Sequence, residues 1–384
     1  MSLAPAPARG QHLPALDGLR GLAVALVVIG HYYGEVPFDE SRHGLVFLRD
    51  LSAFFTGGLE LFFVLSGYLI TSILLARRSS PNLNRVFYTR RLCRTVPAYL
   101  LLLLAFLLLR PLVPLDTPWT APEFDGPVPW WSYALMVQNV FMATLRDIGP
   151  WWLVVTWSLA VEEQFYAFMP WLVRFSRPAL LPVLAALSVL LCPWLRWFFI
   201  EHAGNPFAAL YLLPSRMDAL LVGAGLAVLT TTPAARDWLG RQRAWRRGGL
   251  FLFGVFYLGG PFLLVSAAAR ITASTLLGLG FGSLLTEVLL EPESWLCGIL
   301  ENPALLFLGG ISYSLYLFHL PVLYTVHALF SGRQPLHRSA GGWAATGLSL
   351  ALSLLCATLA RRWVELPFIR LGRKWEYLPG QPSS

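Results

Sequence analysis

Six ionisable side chains lie inside long apolar segments of this 384-residue sequence, and these are the residues that could do chemistry. A charged group at the centre of a bilayer costs about 2.5 to 3.5 kcal/mol on insertion scales, so each of them needs a partner or a function. The six residues are His31, Glu162, Glu163, Arg216, Asp218 and His319. Each one marks a candidate polar site in an apolar environment.

The segment LDGLRGLAVALVVIGHYYGEV carries Arg20 and His31 with ten residues between them. A separation of about eleven residues is close to three helical turns, so both side chains project from nearly the same face, about 16 Å apart along the axis. Both have simpler explanations: an arginine that sets topology, and a histidine bonded to a neighbouring helix. Asp17, next to a glycine at the start of this segment, is predicted to be the helix N-cap.

The segment FYTRRLCRTVPAYL places Arg91 and Arg94 three residues apart on one helix face, with Arg90 beside them. Guanidinium groups at a fixed spacing bind phosphates in a bidentate manner. An ordinary cluster of cytoplasmic arginines would have much the same sequence.

The segment WSLAVEEQFYAFMPW holds the adjacent residues Glu162 and Glu163. At least one of them is expected to face a polar cavity, a cation or a base. Glu162 shares a helix face with Ser158 and Tyr166. A polar cluster that joins helices is the alternative.

Arg216 and Asp218 lie two residues apart, on different faces of a helix, and are expected to form ion pairs with other helices. His319 precedes Pro321 by two residues, and a structural role is the simpler expectation for it. The candidate polar-cavity residues are therefore Ser158, Glu163, Tyr166, Arg216, Asp218 and His319.

The composition is that of an integral membrane protein. Hydrophobic residues make up 56% of the chain and charged residues 13%, and the mean hydropathy is +0.59. The formal charge is +8 and Lys374 is the only lysine. Because the arginines cluster in short loops between apolar segments, the positive-inside rule accounts for them. A lipid bilayer is the expected partner, and nucleic acid is not.

The apolar segments predict an all-α bundle of about ten transmembrane helices. They lie at 19–33, 54–76, 95–113, 151–173, 180–200, 207–229, 250–269, 271–290, 304–330 and 343–360. The shorter apolar stretch 130–141 contains Gln138 and Asn139 and is predicted to be interfacial or re-entrant.

Arginine-rich loops fix the predicted orientation. One such loop follows the second segment and the other follows the sixth, so both are predicted to be cytoplasmic. With ten segments, the N- and C-termini are then cytoplasmic as well. The loop 291–302 falls on the same side although it is acidic.

Four cysteines, Cys93, Cys192, Cys297 and Cys356, lie far apart without paired spacing. Neither a disulfide framework nor a metal site is expected from them. Residues 1–12 lack a signal-peptide pattern, so the first helix is expected to stay as an anchor.

Taken together, the sequence resembles the acyltransferase 3 family of bacterial membrane acyltransferases. The matching stretches are LPALDGLRGLAVALVVIGHYYG, LELFFVLSGYLIT, FYTRRLCRTVPAYL, WSLAVEEQFY, RMDALLVG, ISYSLYLFHLPV and VELPF, in family order from Leu13 to Phe368. The family signatures are an Arg-x10-His and an Arg-x2-Arg motif, which fall here on Arg20 with His31 and on Arg91 with Arg94. The resemblance implies a membrane domain over residues 1–369, a short cytoplasmic tail over 370–384 and a stand-alone type of member.

The resemblance also implies an activity and a location in the bacterial cytoplasmic membrane. An acyl-CoA, with acetyl-CoA as the expected donor substrate and no bound cofactor, would place its phosphates on Arg90, Arg91 and Arg94, together with Arg20. His31 would take the proton from a hydroxyl of a glycan or glycosylated acceptor, while Glu162 orients it or balances its charge. Attack on the thioester would then give an O-acyl ester.

A transporter or flippase is the alternative function. Its internal polar path would be lined by Glu162, Arg216, Asp218 and His319. Transporters are usually built from symmetric repeats with broken helices, and the two halves of this sequence show no such symmetry. A non-catalytic sensor explains neither the Arg-x10-His spacing nor the buried glutamates.

Overall fold

The computed structural model confirms the all-helical fold class. It describes residues 13–34, 57–112, 124–244, 246–251, 253–254, 267–331, 335 and 339–379. Within these ranges the chain forms helices, turns and irregular segments, and no strand.

Ten of the helices carry the labels used below. They are α1 (Pro14–Ile29), α2 (Gly58–Ala76), α3 (Leu83–Leu109), α4 (Thr156–Phe175), α5 (Leu180–Trp197), α6 (Leu213–Thr231), α7 (Ala267–Leu290), α8 (Pro303–Ser331), α9 (Ala340–Ala360) and α10 (Leu366–Arg373). Short α-helices span Trp130–Ala134, Gln138–Leu145, Pro206–Tyr211, Pro233–Arg241 and Trp295–Leu300. π-Helical turns follow α1 at Gly30–Gly34, α5 at Phe198–His202 and α9 at Arg361–Glu365.

Eight helical segments among the described residues are long and apolar enough to cross a membrane. They correspond to eight of the ten predicted spans. The predicted span 151–173 begins as a short 3-10 turn and continues as α4, which is more polar because it carries Glu162, Glu163 and Arg174. The predicted span 250–269 lies mostly outside the described residues.

The start of α1 differs from the prediction. The helix begins at Pro14, a position that suits proline because the first helical N–H has no intrahelical acceptor. Asp17 therefore lies within the first turn, and the prediction that it is the N-cap is wrong. Its Oδ1 is 3.3 Å from Nη1 of Arg20, and a carboxylate in this turn interacts favourably with the helix dipole.

The stretch 130–141 does not form a single helix long enough to cross a membrane. It forms parts of two short helices, joined through Met136 in a left-handed conformation with φ 53°. Gln138 is fully buried and donates from Nε2 to the carbonyl oxygen of Thr156 at 2.8 Å. The second short helix is thus held by a polar contact to the first residue of α4.

The chain divides into two compact units. The first takes residues from Met1–Val27, Phe54–Arg78 and Glu162–Gly310, and the second from Val28–Ala53, Ser79–Val161 and Ile311–Ser384. The first unit contains α2, α5, α6 and α7, and the second contains α3, α9 and α10. The helices α1, α4 and α8 contribute residues to both.

Ion pairs in the first unit bring two predicted cytoplasmic loops to the same end. Nη2 of Arg246 lies 3.0 Å from Oε2 of Glu287, at the end of α7. Nη2 of Arg243 lies 3.3 Å from Oε2 of Glu291. The acidic residue that begins the loop 291–302, Glu291, is thus paired with the arginine-rich loop.

Small residues let α2 and α6 approach closely. A Cβ atom at Gly67 of α2 would lie 1.9 Å from the carbonyl oxygen of Leu220. A Cβ atom at Gly223 of α6 would lie 2.0 Å from the carbonyl oxygen of Val64. Each helix therefore meets the backbone of the other where it carries no side chain, a common form of packing between membrane helices.

We expect Gly223→Ala to destabilise the first unit. Because the added methyl group meets backbone rather than a movable side chain, the two helices must separate, which costs about 1 to 3 kcal/mol. The measurement is the thermal unfolding midpoint of the purified protein in detergent. Gly347→Ala is the matched control, since a Cβ atom there would meet nothing within 4 Å. An unchanged midpoint for Gly223→Ala would contradict the described contact.

Candidate functional site

His31 lies in a π-helical turn at the end of α1. The turn spans Gly30–Gly34, and its wider backbone interrupts the regular α-helix at the position of the candidate base. Such turns are frequent at functional sites. His31 is half-buried, whereas the adjacent Tyr32 is fully buried.

The second unit brings His31 and His319 together. Nδ1 of His31 and Nε2 of His319 are 3.3 Å apart, and the ring centroids are 5.0 Å apart with an interplanar angle of 55°. His319 is 0% exposed, so it lies behind the more accessible His31. From the sequence, a structural role was the simpler expectation for His319, whereas the structure places it in contact with the candidate base.

His319 is held by its own helix and by the π turn that follows α1. Its Nδ1 lies 2.7 Å from the carbonyl oxygen of Tyr316 and 3.2 Å from that of Leu315. The hydroxyl of Tyr32 donates to the carbonyl oxygen of His319 at 2.9 Å and lies 2.8 Å from Oγ of Ser353 in α9. The π turn, α8 and α9 are thus joined at the level of the two histidines.

Ser158 belongs to the same polar layer of the second unit. Its Oγ lies 2.5 Å from the hydroxyl of Tyr316, and that hydroxyl also donates to the carbonyl oxygen of Val155 at 3.1 Å. Tyr316 therefore links the start of α4 to the turn of α8 that holds His319. Ser158 was predicted from the sequence as a polar-cavity residue.

The three predicted phosphate-binding arginines are all on α3, but their surroundings differ. Arg90 donates from Nε to the carbonyl oxygen of Trp375 at 2.8 Å and lies over the ring of Tyr377 at 5.1 Å. It therefore holds the segment after α10. Arg91 and Arg94 are half-buried one helical turn apart, with the guanidinium of Arg91 6.0 Å from the ring of Phe87.

Directly after these arginines, α3 is tied to α8. The hydroxyl of Tyr313 donates to the carbonyl oxygen of Thr95 at 2.7 Å. Within the second unit, the helix of the arginine pair is thereby fixed to the helix that carries His319.

Glu162, Tyr166 and Ser66 form a partly buried cluster in the first unit. Oγ of Ser66 donates to Oε1 of Glu162 at 2.7 Å and accepts from the hydroxyl of Tyr166 at 2.9 Å. The shared partner confirms that Glu162 and Tyr166 face the same side of α4. Glu163 is half-buried on the same helix.

Arg216 and Asp218 each form an ion pair with another helix, as predicted. Nη2 of Arg216 lies 2.5 Å from Oε1 of Glu60 in α2, and Oδ2 of Asp218 lies 3.0 Å from Nη2 of Arg196 in α5. All four side chains are at most 6% exposed. Asp218 also accepts from Thr275 of α7 at 2.5 Å, so these residues join helices.

Several residues that bond to the candidate site residues were not among the candidates chosen from the sequence. Arg196 lies in the apolar stretch LLCPWLRWFFI, and Glu60 follows a glycine pair at the start of a predicted span. The rule that selected Arg216 applies to both, since both are charges within predicted spans. Tyr32 and Ser66 carry no comparable signal, because neutral hydroxyl residues are common in such helices.

The four cysteines are free thiols, as their spacing predicted. Burial raises the pKa of the Cys297 thiol, on the short helix Trp295–Leu300, so this thiol is a poor nucleophile. Within the described ranges, no three His, Cys, Asp or Glu side chains are grouped as metal ligands.

The comparisons with known proteins agree with the motifs. The sequence profile of the family described as "Acyltransferase domain" matches residues 13–362, most of the chain. The chain belongs to this family, acyltransferase 3. The two histidines and the arginine pair of the second unit all lie within the matched range.

The curated relatives of this acyltransferase 3 protein are longer. Proteins named O-acetyltransferase OatA from Staphylococcus aureus strains MRSA252 and NCTC 8325 are each 28% identical, covering 97% and 96% of this chain and 60% and 59% of the relatives. A protein of strain COL, provisionally named as an O-acetyltransferase, is 25% identical over 95% of this chain and 58% of its own length. The chain thus spans about three-fifths of these relatives. No solved structure matches it significantly.

We expect that removing one partner of the ion pair between Arg216 and Glu60 destabilises the protein more than removing both. Arg216→Met alone should lower the free energy of unfolding by about 3 to 5 kcal/mol, because it leaves a buried carboxylate without its partner. The double variant Arg216→Met/Glu60→Met should recover most of this loss, because no uncompensated charge remains. Thermal unfolding of the three proteins in detergent measures the effect. A double variant less stable than Arg216→Met would contradict the paired role.

Proposed function

We propose that this protein is a membrane O-acetyltransferase that transfers an acetyl group from acetyl-CoA to a hydroxyl of a sugar-containing acceptor. Membership of the acyltransferase 3 family and the names of the relatives support this class of reaction. Because this chain covers only about three-fifths of the relatives' length, the activity of the whole relatives is not assigned to it by similarity alone. The proposal therefore depends on the residues of this chain.

The observation that carries the proposal is the position of His31. A half-buried imidazole in a π turn, backed by a fully buried second imidazole, can accept a proton on its accessible side. General bases contribute typically about 10²- to 10⁴-fold to a rate when they are positioned in this way. In the proposed reaction His31 takes the proton of the acceptor hydroxyl as its oxygen attacks the thioester carbonyl.

The reaction balances without a bound cofactor or a metal. The acceptor oxygen forms a new C–O bond, the C–S bond of acetyl-CoA breaks, and the proton held by His31 passes to the departing thiolate. The products are an O-acetyl ester and CoA as the free thiol. Glu162 stays in the proposal as a catalytic carboxylate, supported by its place beside the hydroxyl groups of Ser66 and Tyr166 in the first unit.

Arg91 and Arg94 are proposed to bind the phosphates of the donor. Both lie one turn apart on a continuous helix, which keeps two guanidinium groups at a fixed spacing. Arg20 is proposed as a further phosphate contact, with Asp17 as its partner when no donor is bound. Arg90 is a weaker candidate than the sequence suggested, because it holds the segment after α10.

The acceptor is proposed to be a cell-surface polysaccharide, a glycolipid or a glycosylated metabolite, and the location the bacterial cytoplasmic membrane. Residues 1–369 are proposed as the catalytic membrane domain and 370–384 as a short tail, with both termini cytoplasmic. The pairing of the arginine-rich loop with Glu287 and Glu291 supports this topology, since it puts two predicted cytoplasmic loops at one end.

The alternative of a transporter or flippase receives less support. Two residues of its supposed polar path, Arg216 and Asp218, are taken up in buried ion pairs between helices. A third, His319, is fully buried behind His31. Release of free thiol from acetyl-CoA by the purified protein distinguishes the functions, because transport breaks no thioester.

We expect His31→Gln to lower acetyl transfer by at least about 100-fold while binding of CoA is retained. Glutamine keeps the approximate size of the side chain but is not a base at neutral pH. The measurement is transfer of labelled acetyl groups from acetyl-CoA to envelope glycans and secreted glycosylated metabolites, with mass analysis of the acetylated product. The control is His202→Gln, which changes an exposed histidine. Near-normal transfer by His31→Gln would refute the assignment of the base.

We expect Arg94→Ala to raise the KM for acetyl-CoA by about tenfold or more, because a hydrogen bond to a charged group contributes about 1.5 to 3 kcal/mol. Arg94→Lys should recover only part of the effect, since lysine cannot form the bidentate contact. Initial rates over a range of donor concentrations give KM and kcat separately. Arg85→Ala removes an exposed arginine near the same end of α3 and is the matched control. An unchanged KM for acetyl-CoA in Arg94→Ala would contradict phosphate binding and would indicate that Arg94 serves to set the topology.

A further inference from the structure

The hydrogen bonds of His319 determine which of its nitrogens carries a proton. Nδ1 lies within hydrogen-bonding distance of two carbonyl oxygens, those of Tyr316 and Leu315. A carbonyl oxygen can only accept, so Nδ1 must carry the hydrogen. The ring is then either neutral, with a lone pair on Nε2, or a cation with hydrogen on both nitrogens.

Burial decides between these two forms. His319 is 0% exposed, and within the described part of the chain its ring nitrogens bond to two carbonyls and to His31, with no carboxylate among them. A buried charge without a counter-ion is strongly unfavourable. His319 is therefore neutral, and its Nε2 carries a lone pair.

This lone pair determines the tautomer of His31. Nδ1 of His31 lies 3.3 Å from Nε2 of His319, and one hydrogen must lie between the two nitrogens for them to bond. Since Nε2 of His319 carries none, Nδ1 of His31 supplies it. In neutral His31 the lone pair is then on Nε2, because the bond made by one ring nitrogen fixes the state of the other.

We propose that His319 is a positioning residue that holds His31 in the tautomer whose Nε2 can accept the proton of the acceptor hydroxyl. The catalytic part of this inference rests on the proposed function, whereas the tautomer can be measured without it. His319 does not touch the substrate in this mechanism. It acts through His31, from the fully buried side of the pair.

The chain of bonds also stabilises the state that follows proton transfer. When His31 accepts a proton on Nε2, its Nδ1–H becomes a donor from a cation, and its bond to the lone pair of His319 becomes stronger. His319 keeps its hydrogen on Nδ1, bonded to the carbonyl of Tyr316. The same proton leaves His31 for the thiolate, so the pair ends in its starting state. This is the orienting task of the acid in a catalytic triad, done here by a neutral ring.

The first test measures the tautomer in the wild-type protein. Histidine labelled with ¹⁵N is incorporated into the full chain in lipid nanodiscs, and the nitrogen signals of His31 are assigned by their loss in His31→Gln. Seven histidines in the chain keep the spectrum tractable. We expect Nδ1 of His31 to be protonated and Nε2 unprotonated near neutral pH. A proton on Nε2 of neutral His31 would overturn the inference, whatever the activity of the protein.

The second test separates positioning from packing with two substitutions of His319. In His319→Gln the amide oxygen can take the place of Nε2 and accept from His31. In His319→Asn the shorter amide keeps the donor near the carbonyl of Tyr316 but does not reach His31. We expect His319→Gln to keep kcat within about tenfold of the wild type and His319→Asn to lose about 100-fold or more, both with an unchanged KM for acetyl-CoA.

The outcomes of the second test are distinct. A merely structural role for His319 predicts equal losses in the two variants, or a smaller loss in His319→Asn, and either result would overturn the inference. Solution behaviour on size-exclusion chromatography and binding of CoA check that both variants fold. If the wild-type protein transfers no acetyl group, the proposed function fails, while the spectrum still decides the tautomer of His31.

Discussion

The interior of a bilayer offers no water to a polar side chain, so the polar groups of this protein must find their partners within the chain. This constraint shapes both units. In the first, it produces the ion pairs of Arg216 with Glu60 and of Arg196 with Asp218. In the second, it brings His319 against His31 and joins Tyr32, Tyr316 and Ser158 to the same layer. The proposed proton acceptor, His31, is the member of this network that is left partly accessible.

The ion pairs and the histidine pair show the two possible outcomes of this constraint. Where opposite charges meet, as in Arg216 and Glu60, both side chains are buried in an ion pair, and this pair holds two helices together. Where His31 and His319 meet, no opposite charges are paired, and in the proposed tautomer Nε2 of His31 is the accepting nitrogen. The first arrangement contributes to the stability of the fold, and the second is the one that we propose takes part in catalysis.

Much of the fold could be predicted from the sequence, because helix length and hydropathy are local properties. Eight of the ten predicted spans appear as helices, and the ion-pairing of Arg216 and Asp218 follows from the cost of a charge in lipid. The contact between residues 31 and 319 could not be predicted, since no local rule relates positions 288 residues apart in the chain. The start of α1 was misplaced for a different reason: Pro14 begins the helix three residues before Asp17, and a capping rule based on side chains alone overlooks a proline start.

The π turn at Gly30–Gly34 has a consequence for how this segment can vary. A π turn contains one residue more than an α turn, so deleting Gly30 would restore a regular helical turn and rotate the later residues of the turn by about 100°. Tyr32 would then leave the layer it shares with His319 and Ser353. The length of this turn is thus a fixed dimension of the end of α1, because a deletion changes the direction of side chains that a substitution leaves in place.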